Sequence, residues 1–158
     1  MICFVGASFA PTHLREAARL SGLSLTNQIH NADLVFVSED TPTHEGKRDL
    51  LTIKNLISEV CVEAKSSSVI VLTSQVPPGF TRSLGLNIYH MAETLRVKDA
   101  AHRAMYPEQF IVGCEHPDNP LPPVFLDYLY AFQCPVFQMT WEEAEFAKIA
   151  INMTLASQ

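Results

Sequence analysis

Residues 69–82, Val-Ile-Val-Leu-Thr-Ser-Gln-Val-Pro-Pro-Gly-Phe-Thr-Arg, restrict the chain to few folds. Five residues rich in β-branched side chains run without polar alternation into a turn with two prolines. That is the pattern of a strand buried on both faces that ends abruptly at a loop. A strand covered on both faces needs helices above and below it, and in an open α/β sheet ligands sit at its carboxyl end. Pro77 and Pro78 cannot donate to a ladder, and Gly79 frees the backbone beyond them. Thr81 is placed to cap a following helix. The same residues also make an ordinary strand-to-helix turn, so the stretch alone fixes a position in a sheet and not a function.

From the amino terminus, residues 2–6 form a short apolar strand, followed by a helix over 11–20 with Leu14, Ala17, Ala18 and Ser21 at helical spacing and Gly22 to end it. A dinucleotide fold begins in this way. A G-x-G-x-x-G fingerprint needs glycines at 6, 8 and 11, and only Gly6 is present. Ser8 adds a side chain where backbone should approach a pyrophosphate, and Pro11 removes a donor, so the phosphate site is expected to be weakened or lost. Residues 23–26 suggest a brief second strand, yet Thr26-Asn27-Gln28 follow it and no acid comes before Asp33 to hold an adenine ribose. The third strand, 32–38, comes too soon for a crossover helix, which points to a shortened segment. Beyond it the periodicity predicts helices over 49–65, with Asp49 as N-cap, and over 81–95, with Leu84, Ile88, Met91 and Leu95 on one stripe. Residues 96–103 read as exposed and 104–106 as a short strand that presents Pro107-Glu108; a helix over 121–132 and a strand over 135–139 complete the alternation. The fold class expected is α/β, Rossmann-like, a mainly parallel sheet flanked by helices and followed by a C-terminal helix. The domain expected is 1–139, degenerate at 7–31, with 140–158 as the start of a separate helix.

Thr140-Trp141-Glu142-Glu143 is a capping-box pattern, so that helix starts at about Trp141. Trp141, Ala144, Phe146, Ile149, Ile151, Met153 and Leu155 leave it little polar surface, and it should be buried or await a partner. Glu145, Lys148 and Asn152 recur at i, i+3 and i+7 on one face, as either a solvated stripe or a site. A lysine and an amide so placed can hold a developing oxyanion and a water.

At 158 residues, with 47% hydrophobic and 18% charged, the chain is expected to fold as one soluble unit. No stretch approaches the roughly 20 apolar residues of a membrane span, and the start lacks a signal-peptide pattern, which favours the cytoplasm. Cys3, Cys61, Cys114 and Cys134 form no C-x-x-C pair and read as reduced structural thiols. Cys114-Glu115-His116 lacks the second cluster that a metal site needs, and no metal is expected. A formal net charge of −6 disfavours nucleic acid as a partner.

Four landmarks occur in order: 32–38 with Thr41-Pro42-Thr43; Ser74 through Arg82; Tyr106-Pro107-Glu108; and 145–152 followed by Leu155-Ala156. Together they resemble the UDP-glucose/GDP-mannose dehydrogenase family from about residue 32 onward, with 1–26 similar in outline. The resemblance implies an NAD-binding domain followed by the start of a central dimerisation helix. It implies oxidation of a nucleotide-sugar hydroxymethyl group to a carboxylate in two NAD-dependent steps through a cysteine thioester. On this pattern Lys148 matches the lysine that stabilises the oxyanion, Asn152 the asparagine that assists it, and Glu108 the acid of an Asn-Pro-Glu motif. Gly6 remains from the cofactor fingerprint, while Thr41 and Ser74 match cofactor-side loops; Asp40 stands where the pattern has proline, Gln75 where it has threonine, and Tyr106 where it has asparagine. None of the four cysteines lies in the glycine-rich context of the family nucleophile, so the cysteine domain is expected to be missing and oxidation by this chain alone is not expected. Two expectations remain: a nucleotide-sugar dehydrogenase domain, homodimeric through 141–155 and completed by a sugar-binding domain; or a non-catalytic degenerate Rossmann module acting in nucleotide binding or dimerisation.

Overall fold

The computed structural model describes residues 1–157. In chain order its elements are β1 (Ile2–Val5), α1 (Phe9–Leu20), β2 (Leu34–Val37), a small hairpin of β3 (Thr43–His44) and β4 (Lys47–Arg48), α2 (Leu51–Glu63) and β5 (Val69–Leu72). There follow α3 (Phe80–Ser83), β6 (Tyr89–Met91), α4 (Ala100–Met105), β7 (Phe110–Cys114), α5 (Pro123–Tyr130), β8 (Val136–Thr140) and α6 (Trp141–Ala156). The main sheet has the order β1-β2-β5-β6-β7-β8, parallel throughout except for the β6–β7 pair. The α/β architecture expected from the sequence is the one observed.

Alternation along β2 shows why its residues are apolar without interruption. Leu34 and Phe36 face a cluster with Ala18 of α1 and Phe125, Tyr128 and Leu129 of α5; Val35 and Val37 face Ile53, Ile57 and Val60 of α2. Both faces are thus dry, as the parallel pairing requires. The Phe36 ring stacks on Phe4 at 4.9 Å and meets Tyr128 at 4.6 Å. On the same side as α2, Gly113 of β7 lets α6 lie close, since a Cβ there would come within 2.8 Å of the Ala144 Cβ.

Three segments differ from expectation. Residues 23–26 contribute only a single parallel bridge between Leu25 and Ile2, so the sheet all but ends at β1. The helix expected over 81–95 is the four-residue α3, stopped at Gly85 with φ +63°, and the apolar residues beyond it belong to β6, which pairs on both sides. The strand expected at 104–106 is instead the end of α4, and the strand lies further on at β7, directly after the loop that Pro107 introduces. α1 starts two residues before Pro11, which sits in its first turn where the missing N–H has no intrahelical partner to lose. Among the described residues no helix is long and apolar enough to cross a membrane.

Candidate active site

The carboxyl ends of β1, β2 and β5 open into a cleft of about 300 Å³ lined by Ser8, Glu39, Thr41, Ser74, Gln75, Glu93 and Lys148, among others. Its far wall is α6, whose capping box is formed: the Thr140 hydroxyl accepts from the Glu143 N–H at 3.3 Å, and the Glu143 carboxylate accepts from the Thr140 N–H at 2.9 Å. Trp141 fixes the helix further by donating its indole N–H to the Ile88 carbonyl at 2.8 Å.

The first two residues of the polar stripe of α6 are turned inward with Trp141 and Ala144, Asn152 is exposed, and two large apolar residues point outward. Glu145 is fully buried and Lys148 nearly so, while Phe146 and Met153 are 60% and 67% exposed. Each stripe residue grips a different loop. Glu145 accepts from the Gly79 N–H at 2.7 Å and the Thr81 N–H at 2.8 Å, clamping the double-proline turn. Lys148 donates from Nζ to the Glu93 carbonyl and lies 3.1 Å from Glu93 Oε2. Asn152 donates to the Gln75 side-chain oxygen at 2.8 Å.

Burial pushes the Glu145 carboxyl above its ordinary range, against the two amides that favour its charged form. The folded chain therefore holds this proton more tightly than the unfolded one. The resulting stability is complete below about 4.5 and is lost as pH rises through the folded value. Glu145→Gln places an NH₂ among donors and is expected to cost about 2 kcal/mol. Urea unfolding of both proteins from pH 4.5 to 8 should show the gap narrowing as pH rises; a constant gap would contradict the protonation argument.

His90 of β6 lies fully buried on the α6 side of the sheet, and neither ring nitrogen has a hydrogen-bond partner among the described residues. Burial, then the positive charge of Lys148, hold its pKa down at about 3. A neutral ring there leaves the Lys148 ammonium unopposed.

The other residues singled out in the sequence fall as follows. Thr41 donates to the Gln75 carbonyl at 2.6 Å and is held by Arg48, whose Nη1 donates to the Thr41 carbonyl at 2.8 Å. Ser74 accepts from the Glu39 N–H at 2.8 Å and donates to the Glu39 carbonyl at 2.7 Å. Gly6 sits at φ +125° where β1 meets β2, and a Cβ would lie 1.6 Å from the Ser38 carbonyl oxygen. Glu108 stands apart from Lys148: its side chain is 82% exposed, 3.8 Å from Arg103. It borders a separate recess of about 170 Å³ with Arg96, Arg103 and Asn152. The carboxylate that reaches Lys148 is Glu93, which the sequence reading did not single out; its signal was an acid two residues beyond the end of β6, hidden while 81–95 read as one helix.

At the other end of the cleft the polar groups around the start of α1 are engaged within the chain. The Ala7 N–H, one residue before the N-cap of α1, donates to Glu39 Oε1 at 2.8 Å, and the Ser8 and Ser38 hydroxyls bond each other at 2.9 Å. The Leu25 bridge leads into Thr26-Asn27-Gln28, without an acid for a ribose. None of the four cysteines lines the cleft, and burial pushes the thiols of Cys3, Cys61 and Cys134 up, away from the reactive thiolate. Among the described residues no three of His, Cys, Asp and Glu converge to hold a metal.

Residues 10–130 match the family model for the NAD-binding domain of the UDP-glucose/GDP-mannose dehydrogenase family. A UDP-glucose 6-dehydrogenase of Rickettsia conorii is 27% identical over 162 residues, covering 92% of this chain and 37% of that protein. The corresponding protein of Rickettsia felis is 27% identical over 121 residues, covering 68% of this chain and 27% of its own length. The chain therefore spans little more than a third of the curated relatives it matches. Among solved structures, a UDP-D-ManNAc dehydrogenase from Pyrococcus horikoshii superposes with a TM-score of 0.81 at 14% identity, over 96% of this chain and 50% of that one. A UDP-glucose dehydrogenase from Pyrobaculum islandicum gives 0.77 at 19% identity, over 98% and 49%. These likenesses establish the fold.

Proposed function

This chain belongs to the UDP-glucose/GDP-mannose dehydrogenase family by its NAD-binding domain, and on that premise we propose that it acts as the cofactor-side half of a nucleotide-sugar 6-dehydrogenase, with reduced affinity for NAD. The observation that carries this reading is the Lys148–Glu93 pair in the cleft, with both side chains about nine-tenths buried. An ammonium held in a half-dry cleft is placed to stabilise an oxyanion as negative charge develops on a sugar oxygen. Glu93 orients it, Glu145 fixes the helix that carries it, and Asn152 holds Gln75 at the same wall. Thr41 and Ser74 act as supports of the loops facing the cofactor side. A thiolate nucleophile would have to enter the cleft from a segment other than those bearing Cys3, Cys61, Cys114 and Cys134. Free thiols suit a reducing compartment, and the cytoplasm is the proposed setting.

A second reading, a non-catalytic module that pairs with its own copy through 141–155, is favoured by the outward-facing Phe146 and Met153. Lys148→Ala separates the two. In a polypeptide joining this domain to a cysteine-bearing sugar domain, it should lower kcat about 10²- to 10³-fold with KM for the dinucleotide little changed. Unchanged turnover would overturn the role of Lys148, and an inactive parent would favour the second reading.

A further inference from the structure

α1 carries no acidic residue in its first turn, and Ser8, its N-cap residue, makes no side-chain cap. Such a helix end presents free amides and the positive end of a dipole to an anion. An anion from 32 residues away binds just outside this end, at the residue before the N-cap. Glu39 Oε1 accepts from the Ala7 N–H at 2.8 Å, and the Glu39 backbone is locked in both directions by Ser74, whose hydroxyl accepts from its N–H and donates to its carbonyl. The preceding residue is fixed as well: the Ser38 hydroxyl bonds Ser8, and its carbonyl lies against Gly6. The carboxylate is therefore aimed across the cleft by a rigid loop.

We propose that Glu39 is a built-in anion that fills the phosphate cradle of this cleft and so decides against ligands that carry a pyrophosphate. The inference rests on the reading of the cleft as a former or weak dinucleotide site and names the residue that sets its affinity. A pyrophosphate brought to Ala7 must break the Glu39 bond and then lie beside a carboxylate that the Ser74 clamp keeps close, with exposed Asp40 adding a second negative charge. Ser74, expected to serve the cofactor directly, acts instead by positioning Glu39. A ligand without phosphate does not meet this repulsion, so the effect of Glu39 is selective.

The test is calorimetric titration of the chain, of Glu39→Ala and of Glu39→Gln with NAD, ADP-ribose and phosphate-free nicotinamide riboside in its uncharged, reduced form. Glu39→Ala should bind NAD and ADP-ribose about tenfold or more tightly than the unchanged chain, with Glu39→Gln between them, and the gain should shrink as salt is added. Nicotinamide riboside should bind all three proteins alike. The near-isosteric Glu39→Gln keeps the test intact if the alanine variant melts early. Equal, measurable NAD affinity in all three proteins would overturn the role of Glu39 and leave the NAD-domain reading standing. An equal gain for nicotinamide riboside would overturn it as well, since charge would not be the cause. Silence from every protein at millimolar NAD would overturn both.

Discussion

Gly6→Ala is expected to remove about half of the chain's stability. The new Cβ would lie 1.6 Å from the Ser38 carbonyl oxygen and 2.7 Å from its carbon, and both are backbone atoms that cannot rotate away. The φ of +125° adds strain that an L side chain rarely bears. Relief requires parting β1 from β2 at the Val5–Val37 pair, where the Ser38 N–H donates to the Val5 carbonyl at 2.9 Å. Strain of about 1–3 kcal/mol and two or three ladder bonds near 1 kcal/mol each sum to about half of a typical domain's stability. Urea unfolding should show a midpoint reduced by half or more. A loss under about 1 kcal/mol would mean that the two strand ends are not joined as described.

His90→Leu is expected to remove most of the chain's acid lability. Free imidazole titrates near 6.5 and the buried ring at about 3. Between those values the unfolded chain binds the proton and the folded one does not, so stability is whole above 6.5 and falls as pH drops towards 3. The span corresponds to a loss on the order of 4 kcal/mol. Because neither ring nitrogen has a partner among the described residues, leucine leaves no donor or acceptor stranded, and stability near neutral pH should hold or rise. Unfolding free energies measured from pH 7 to pH 4 should fall steeply for the unchanged chain and gently for the variant. Parallel slopes would place the acid-sensitive group elsewhere. Glu145 acts in the opposite sense over its own range above about 4.5, and there it offsets part of the His90 slope.

The legible parts of this molecule were those set by local pattern. Uninterrupted apolar runs marked β2 and β5 because both faces of each are dry, and Thr140 with Glu143 marked the start of α6 because a capping box is a four-residue event. The short gap before β2 likewise announced the reduced second strand. What escaped depended on distant partners. Leu84, Ile88, Met91 and Leu95 have helical spacing, yet Gly85 ends α3 and β6 finds ladder partners on both sides, and that misreading concealed Glu93. The stripe of Glu145, Lys148 and Asn152 was visible, but its direction was not: loops at 79–81 and 93 supply the polar partners that bury Glu145 and Lys148, while Asn152 stays exposed and bonds Gln75. Nothing local in the sequence joins Glu39 to Ala7, because only the meeting of β1 and β2 brings them together.

The proposed cleft has a reaction end around Lys148 and a phosphate end closed by Glu39. An amide chemical-shift titration of the unchanged chain with NAD tests this most directly. The predicted result is binding of roughly 100 μM or weaker, with shifts concentrated near Ser74, Glu93 and Lys148 while the Ala7 and Ser8 amides stay in place. Micromolar binding led by the Ala7 amide would show an open phosphate cradle and contradict the account.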